Sequence, residues 1–154
     1  MQELSQMPGH LIRRLNQISV SVFAEGMKRA GIDLTPVQFA ALSALSAEPG
    51  IDQATLAGRI AYDRVTIGGV VDRLEGKGLV AREISPTDRR ARILRLTAQG
   101  EERLAQARPV VAALQPEILS GLSSAERAAF LALLRKATVA GNTRSRAPLL
   151  PRDA

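Results

Sequence analysis

The sequence contains no cysteine and no tryptophan, and only one histidine and one tyrosine among its 154 residues. Without thiols, disulfide frameworks, thiolate nucleophiles, zinc knuckles and thiol-based redox sensing are excluded. A single imidazole, His10, cannot build a histidine metal site or Ser-His-Asp machinery within one chain. No catalytic residue, metal ligand or cofactor is expected, and an enzyme is the minority reading. Long apolar runs are missing too. The longest charge-free stretch, Leu34 to Ala47, is 14 residues, against the roughly 20 that a membrane-spanning helix requires. The chain begins MQELSQMPGH, with an acid and no basic residue ahead of the first apolar run, which is not the pattern of a secretory signal. A soluble, cytoplasmic protein with no membrane partner is expected.

What is present suits one compact domain with additional helices: 45% hydrophobic residues, 23% charged, and a formal charge of +6. The surplus is not spread evenly. Residues 1–50 are balanced, whereas Tyr62 to Leu96 hold eight basic side chains against five acidic ones. Arginine supplies 18 of the 21 basic residues, and its planar fork suits phosphates and guanine edges. Codon bias explains such a count equally well, so position is the more informative signal.

Leu11, Leu15, Ile18 and Val22 recur at helical spacing and Gly31 follows as a stop, which predicts a first helix over about residues 9–30. Thr35-Pro36-Val37-Gln38 has the order of a capping box with proline at the first helical position, opening a second helix that ends near Ala47. Asp52 and Asp63 are placed to cap two further helices, the second ending where Gly78 can turn left-handed. Two short apolar runs around Ser85-Pro86-Thr87-Asp88 predict a two-stranded hairpin with a basic tip. Thr97 caps a helix that Pro109 and Pro116 are expected to interrupt or kink, and Ser123-Ser124-Ala125-Glu126 is a second capping box. The fold class is mainly α with a small β-hairpin wing, and helix, helix, hairpin in that order is the grammar of a winged helix-turn-helix. Its expected parts are residues 1–34, an N-terminal helix; 35–96, the winged helix-turn-helix; 97–141, C-terminal helices; and 142–154, a Pro- and Arg-rich disordered tail.

The segment from Leu56 through the hairpin reads LAGRIAYDRVTIGGVVDRLEGKGLVAREISPTDRRARILRLTAQG. It resembles the MarR family of bacterial winged-helix regulators. The marks are the Leu56-Ala57 pair, Thr66, Val71-Asp72-Arg73-Leu74-Glu75 with Gly78-Leu79-Val80, Asp88-Arg89-Arg90, and Leu96-Thr97 with Gly100. The match is specific over residues 52–104. The resemblance implies a homodimer on a pseudo-palindromic operator of double-stranded DNA, a winged helix-turn-helix flanked by dimerisation helices: residues 35–96 form the DNA-binding domain, and the helices of 1–34 and 97–141 intertwine as the dimerisation helices. TIGGVVDRLE, with PGHLIRR near the start, is similar to members that respond to aromatic and hydroxynicotinic acids. The absence of cysteine argues against the peroxide-sensing branch.

In that frame Arg64, Thr66 and Ile67 are expected to face solvent and enter the major groove, arginine forking to guanine and Thr or Ile meeting a thymine methyl. Gly68 and Gly69 would admit close backbone approach; the alternative is that they serve packing and that Arg64 pairs with a local acid. Arg73 suits phosphate or the wing, while Arg89 and Arg90 suit a minor groove, with Asp88 capping their turn. A solvated charged turn is the plain alternative there. His10, Arg13, Arg14 and Gln17 share one side of the first helix and could meet a small anionic aromatic effector, with Asn16, Gln38 and Tyr62 as further pocket candidates. An exposed strip or an interface contact would look the same. Two rivals stand beside the effector-released repressor: an effector-independent or architectural DNA-binding protein, and a small helical enzyme or interaction module.

Overall fold

The computed structural model describes residues 3–152, so the outermost two positions of the expected N-terminal element and of the expected tail lie outside the described residues. Helix α1 (Pro8–Ala30) ends at Gly31, whose φ of 68° is the left-handed stop its position predicts. Helix α2 (Pro36–Ala47) opens with the reciprocal Thr35–Gln38 capping box, each side chain bonding the other residue's backbone N–H at 3.2 Å. Strand β1 (Ile51–Asp52) leads into α3 (Gln53–Arg59), where Asp52 accepts the Thr55 N–H at 2.7 Å. Helix α4 (Ile67–Gly76), strands β2 (Val80–Ile84) and β3 (Arg92–Leu96), and helices α5 (Ala98–Ile118) and α6 (Ser124–Gly141) complete the order.

The hairpin is a three-stranded antiparallel sheet in the order β1-β3-β2, not the two strands the sequence suggests. Val80 pairs with Leu96 and Ile84 with Arg92, while Ile51 sits opposite Leu94 on the other edge of β3. A two-residue strand has no period of its own and exists only through its partner. Leu94 faces a core whose largest fully buried side chains include Leu42, Leu45, Leu56, Ile67, Val71, Leu74 and Leu104.

Helix α5 runs without a break through Pro109 and Pro116, which corrects the expectation that they interrupt it. Each proline removes one main-chain bond; burial of Leu104, Ala107, Val111 and Leu114 along the helix, chiefly against α1, offsets that loss. Gly26 of α1 permits the close approach, since a Cβ there would run into the Leu114 side chain.

The segment after Gly141, expected as a disordered tail, makes specific contacts over residues 142–152. A 3-10 turn at Asn142–Arg144 is followed by a loop that Asn142 brackets, accepting the Leu149 N–H at 2.8 Å and donating to its carbonyl at 3.0 Å. The Leu150 N–H then donates to the Gly58 carbonyl at 2.8 Å, and Arg59 Nη1 to that of Pro151 at 2.6 Å. Beneath it Arg59 makes a forked pair with Glu48, Nε at 2.7 Å and Nη2 at 3.2 Å, with Arg152 at 3.6 Å. Long-range contacts of this kind leave no trace in local composition, which here reads as disorder.

The hydrogen bonds from Arg59 hold the Glu48 carboxyl below its ordinary value of 4.5, with Arg152 assisting. A lowered folded-state pKa contributes stability above the unfolded value, and that contribution is lost as pH falls through the folded one. Unfolding temperatures should therefore decline on acidification below about pH 4.5, and Glu48→Gln should show a shallower decline over that window. Parallel pH profiles would argue against a stabilising role for the pair.

Candidate nucleic-acid interface and effector strip

The turn before α4 is organised by Asp63. Its carbonyl accepts the N–H groups of Thr66 at 3.2 Å and Ile67 at 3.0 Å, and its carboxylate accepts the Val65 N–H at 2.8 Å. Asp63 thus closes the turn ahead of the helix instead of serving as the N-cap, a position Thr66 occupies without a side-chain cap bond. Concentrating these bonds on one residue pushes Arg64, Val65 and Thr66 outward. Val65 is 91% exposed.

Ile67 was expected on this outer face, and it is not there. It is 1% exposed, because residues 67, 70, 71 and 74 form one inward helical stripe with Val70, Val71 and Leu74. Any apolar contact at the start of α4 falls to Val65, a residue the sequence reading passed over although that same phase places it outside. Gly68 is half-buried, and a Cβ there would stand 3.2 Å from Gln53 Nε2, so packing accounts for part of its role. At Gly69, which is exposed, the nearest atom to a Cβ is Arg73 Nη1 at 3.7 Å.

At the other tip, Ser85 and Asp88 build the wing turn. Ser85 Oγ accepts the N–H groups of Thr87 and Asp88 at 3.3 Å, and Asp88 Oδ1 accepts the Arg90 N–H at 2.9 Å. The side chains of Arg89 and Arg90 are left exposed.

Ion pairing divides the basic residues of this region into two sets. Arg82 bonds Asp72 at 2.6 Å and Glu75 at 3.5 Å, Arg95 bonds Glu83 at 3.3 Å, and Lys77 reaches Asp33 at 3.1 Å. Arg64, Arg73, Arg89, Arg90 and Arg92 form no ion pair among the described residues, and Arg92 Nη1 donates to the Arg89 carbonyl at 3.3 Å. Arg64 stands at the start of α4, and Arg89 and Arg90 at the tip of the wing. A polyanion is the partner such a surface fits.

The α1 strip divides in two. His10 Nδ1 lies 3.3 Å from Arg13 Nη2, while Arg14 and Gln17 line a shallow groove of about 310 Å³ with Ile18, Ser21, Val22 and Glu25. Gln38 and Tyr62 are elsewhere, a correction to their grouping with this strip. Gln38 is 4% exposed and spent on the capping box, its Oε1 also accepting from Lys77 Nζ at 3.1 Å. Tyr62 is half-buried against the core, bordering a cleft between the α4 turn and the C-terminal segment.

A larger apolar groove, about 660 Å³, went unseen in the sequence because three distant segments build it. Leu11, Ile12 and Leu15 of α1, Leu119 after α5, and Phe130, Leu131 and Leu134 of α6 line it, with Asn16, Gln115 and Arg127 among its few polar groups. No residue of α6 is buried.

Residues 34–91 match the MarR family model. The chain is 39% identical over 104 residues to the transcriptional regulator HosA of Escherichia coli O111:H-, covering 68% of this chain and 77% of that one. It superimposes on the PcaV transcriptional regulator from Streptomyces coelicolor in complex with its natural ligand with a TM-score of 0.81 and 35% identity, over 92% of this chain and 98% of that one. The structure of Bordetella bronchiseptica BpsR, described as showing how 6-hydroxynicotinic acid regulates its DNA binding, matches with a TM-score of 0.82 and 31% identity over 90% and 97% of the two chains. A helix-turn-helix with a three-stranded wing, unpaired arginines at its two tips and this degree of similarity lead to one conclusion: the chain belongs to the MarR family of transcriptional regulators and is not an enzyme.

Proposed function

We propose that the protein is a cytoplasmic homodimeric repressor that occupies a pseudo-palindromic operator and is released by a small aromatic carboxylate. The observation that carries the DNA-binding half is the set of unpaired guanidinium groups at the α4 turn and the wing. Arg64, Thr66 and the backbone at Gly68 would enter the major groove, with Val65 replacing Ile67 as the apolar contact. Arg73 would meet phosphate, and Arg89 and Arg90 the minor groove, their turn held by Asp88. The exposed apolar groove of α1, α5 and α6 suits a second copy of the chain.

The effector half rests on Arg14 and Gln17 in their shallow groove, with the His10–Arg13 pair beside them, and on the similarity to BpsR and PcaV. A guanidinium fork would orient a carboxylate, and ring burial would add binding. Release requires only that the ligand favour a conformation whose recognition helices no longer match successive turns of DNA, about 34 Å apart.

Operator binding followed by anisotropy tests both halves. If about eight phosphates are neutralised, log affinity falls with log salt at a slope near −7. Arg64→Ala should cost about 1–3 kcal/mol and relax preference at one base position; wild-type affinity and specificity would remove it from the interface. Hydroxynicotinate- and benzoate-type acids should release the duplex from wild type but not from Arg14→Ala. If none does, the effector-independent regulator is the correct reading.

A further inference from the structure

We propose that residues 142–152 form a docked arm that widens the DNA-contacting surface, with Arg146 set to engage the phosphate backbone of duplex DNA beside the start of α4. The inference rests on the DNA-binding reading above and adds a surface to it. The arm is seated at specific points: Leu150 N–H on the Gly58 carbonyl, Arg59 on the Pro151 carbonyl, and Arg152 against Glu48. Its seat is shaped for it. Gly58 lies inside a seven-residue helix, where glycine is a poor choice, and a Cβ at that position would collide with the Leu150 side chain. The missing methyl group of Gly58 is therefore the notch that Leu150 fills.

The charge on the arm gives the partner. Residues 142–152 contain Arg144, Arg146 and Arg152 and no acid. Arg146 Nε lies 2.9 Å from Asp63 Oδ2, the carboxylate that builds the turn presenting Arg64, Val65 and Thr66. Asp63 is 20% exposed, whereas Arg146 is 89% exposed. Its remaining fork of N–H donors is thus free to face solvent. Arg146, Arg64, Val65 and Thr66 border one cleft of about 720 Å³. A bare carboxylate at this place would repel phosphate; with Arg146 on it, the local charge is balanced and a donor fork stands at the rim.

Full-length protein and a duplex carrying the DNA upstream of its own gene, titrated at several salt concentrations, test this. Arg146→Ala should bind about three- to tenfold more weakly at low salt, with the log–log slope shallower by roughly two if each arm of a dimer loses one phosphate. Gly58→Ala, which displaces Leu150, and a chain ending at Gly141 should reproduce the loss, and adding Arg146→Ala to either should deepen it no further. If Arg146→Ala and the shortened chain bind as wild type does, or the shortened chain binds more tightly, the arm is not part of the interface. Failure of the wild-type chain itself to bind any duplex would instead bring down the DNA-binding reading.

Discussion

Alanine at Gly100 is expected to destabilise the protein by about 3 kcal/mol or more, a cost at the upper end for overpacking. Gly100 is buried in the first turn of α5, where its N–H donates to the capping Thr97 Oγ1 at 3.0 Å. A Cβ there would be driven into the carbonyl oxygen of Leu79. That oxygen cannot swing aside, because it accepts the Thr97 N–H at 3.1 Å while the Leu79 N–H is held by Leu74 at 3.0 Å. Thr97 Oγ1 also donates to the Gly78 carbonyl at 2.6 Å, so the end of α4, the start of the wing and the cap of α5 are bound into one junction. Helix propensity alone predicts the opposite sign, a gain of about 1 kcal/mol for Gly→Ala. Urea titration should show the midpoint falling at Gly100→Ala with an unchanged slope; an undiminished midpoint would mean that the junction opens freely.

The junction also shows which features can be read from a sequence. Thr97 ahead of Gly100, the Thr35–Gln38 and Ser123–Glu126 boxes, and the left-handed glycines at 31 and 78 are local, and all appear where their spacing puts them. The same holds for the outer face of α4 once its phase is taken from Val70, Val71 and Leu74, a phase that puts Ile67 inside with them. Three features needed contacts far apart in the chain. Strand β1 exists only against β3, the arm only against Gly58, and the apolar groove only where α1, α5 and α6 converge. For the candidate site, charge position revealed the two arginine tips, but only the ion pairs of Arg82, Arg95 and Lys77 distinguish committed cations from free ones.

If the proposed dimer forms through the apolar groove, Leu134→Asp is expected to leave a 16.5 kDa monomer and to weaken operator binding by about 10²- to 10⁴-fold. Leu134 borders the apolar groove at 38% exposure, beside Leu131 at 40%, while Leu11 and Ile12 across the groove are more exposed still. Because α6 buries no residue within its own chain, an aspartate there leaves the monomer's core intact. In a two-fold interface each substitution occurs twice, so two carboxylates would be desolvated without partners, at several kcal/mol for each buried charge. A monomer still carries Arg64 and Arg90, so its weak contact with one half-site should survive while the gain from engaging both half-sites together is lost. Sedimentation of Leu134→Asp beside wild type, followed by titration on whole and half operators, separates these effects. A variant that remains dimeric with wild-type affinity would exclude the groove as the interface. A variant that becomes monomeric yet binds the whole operator undiminished would show that paired half-sites are not the source of affinity.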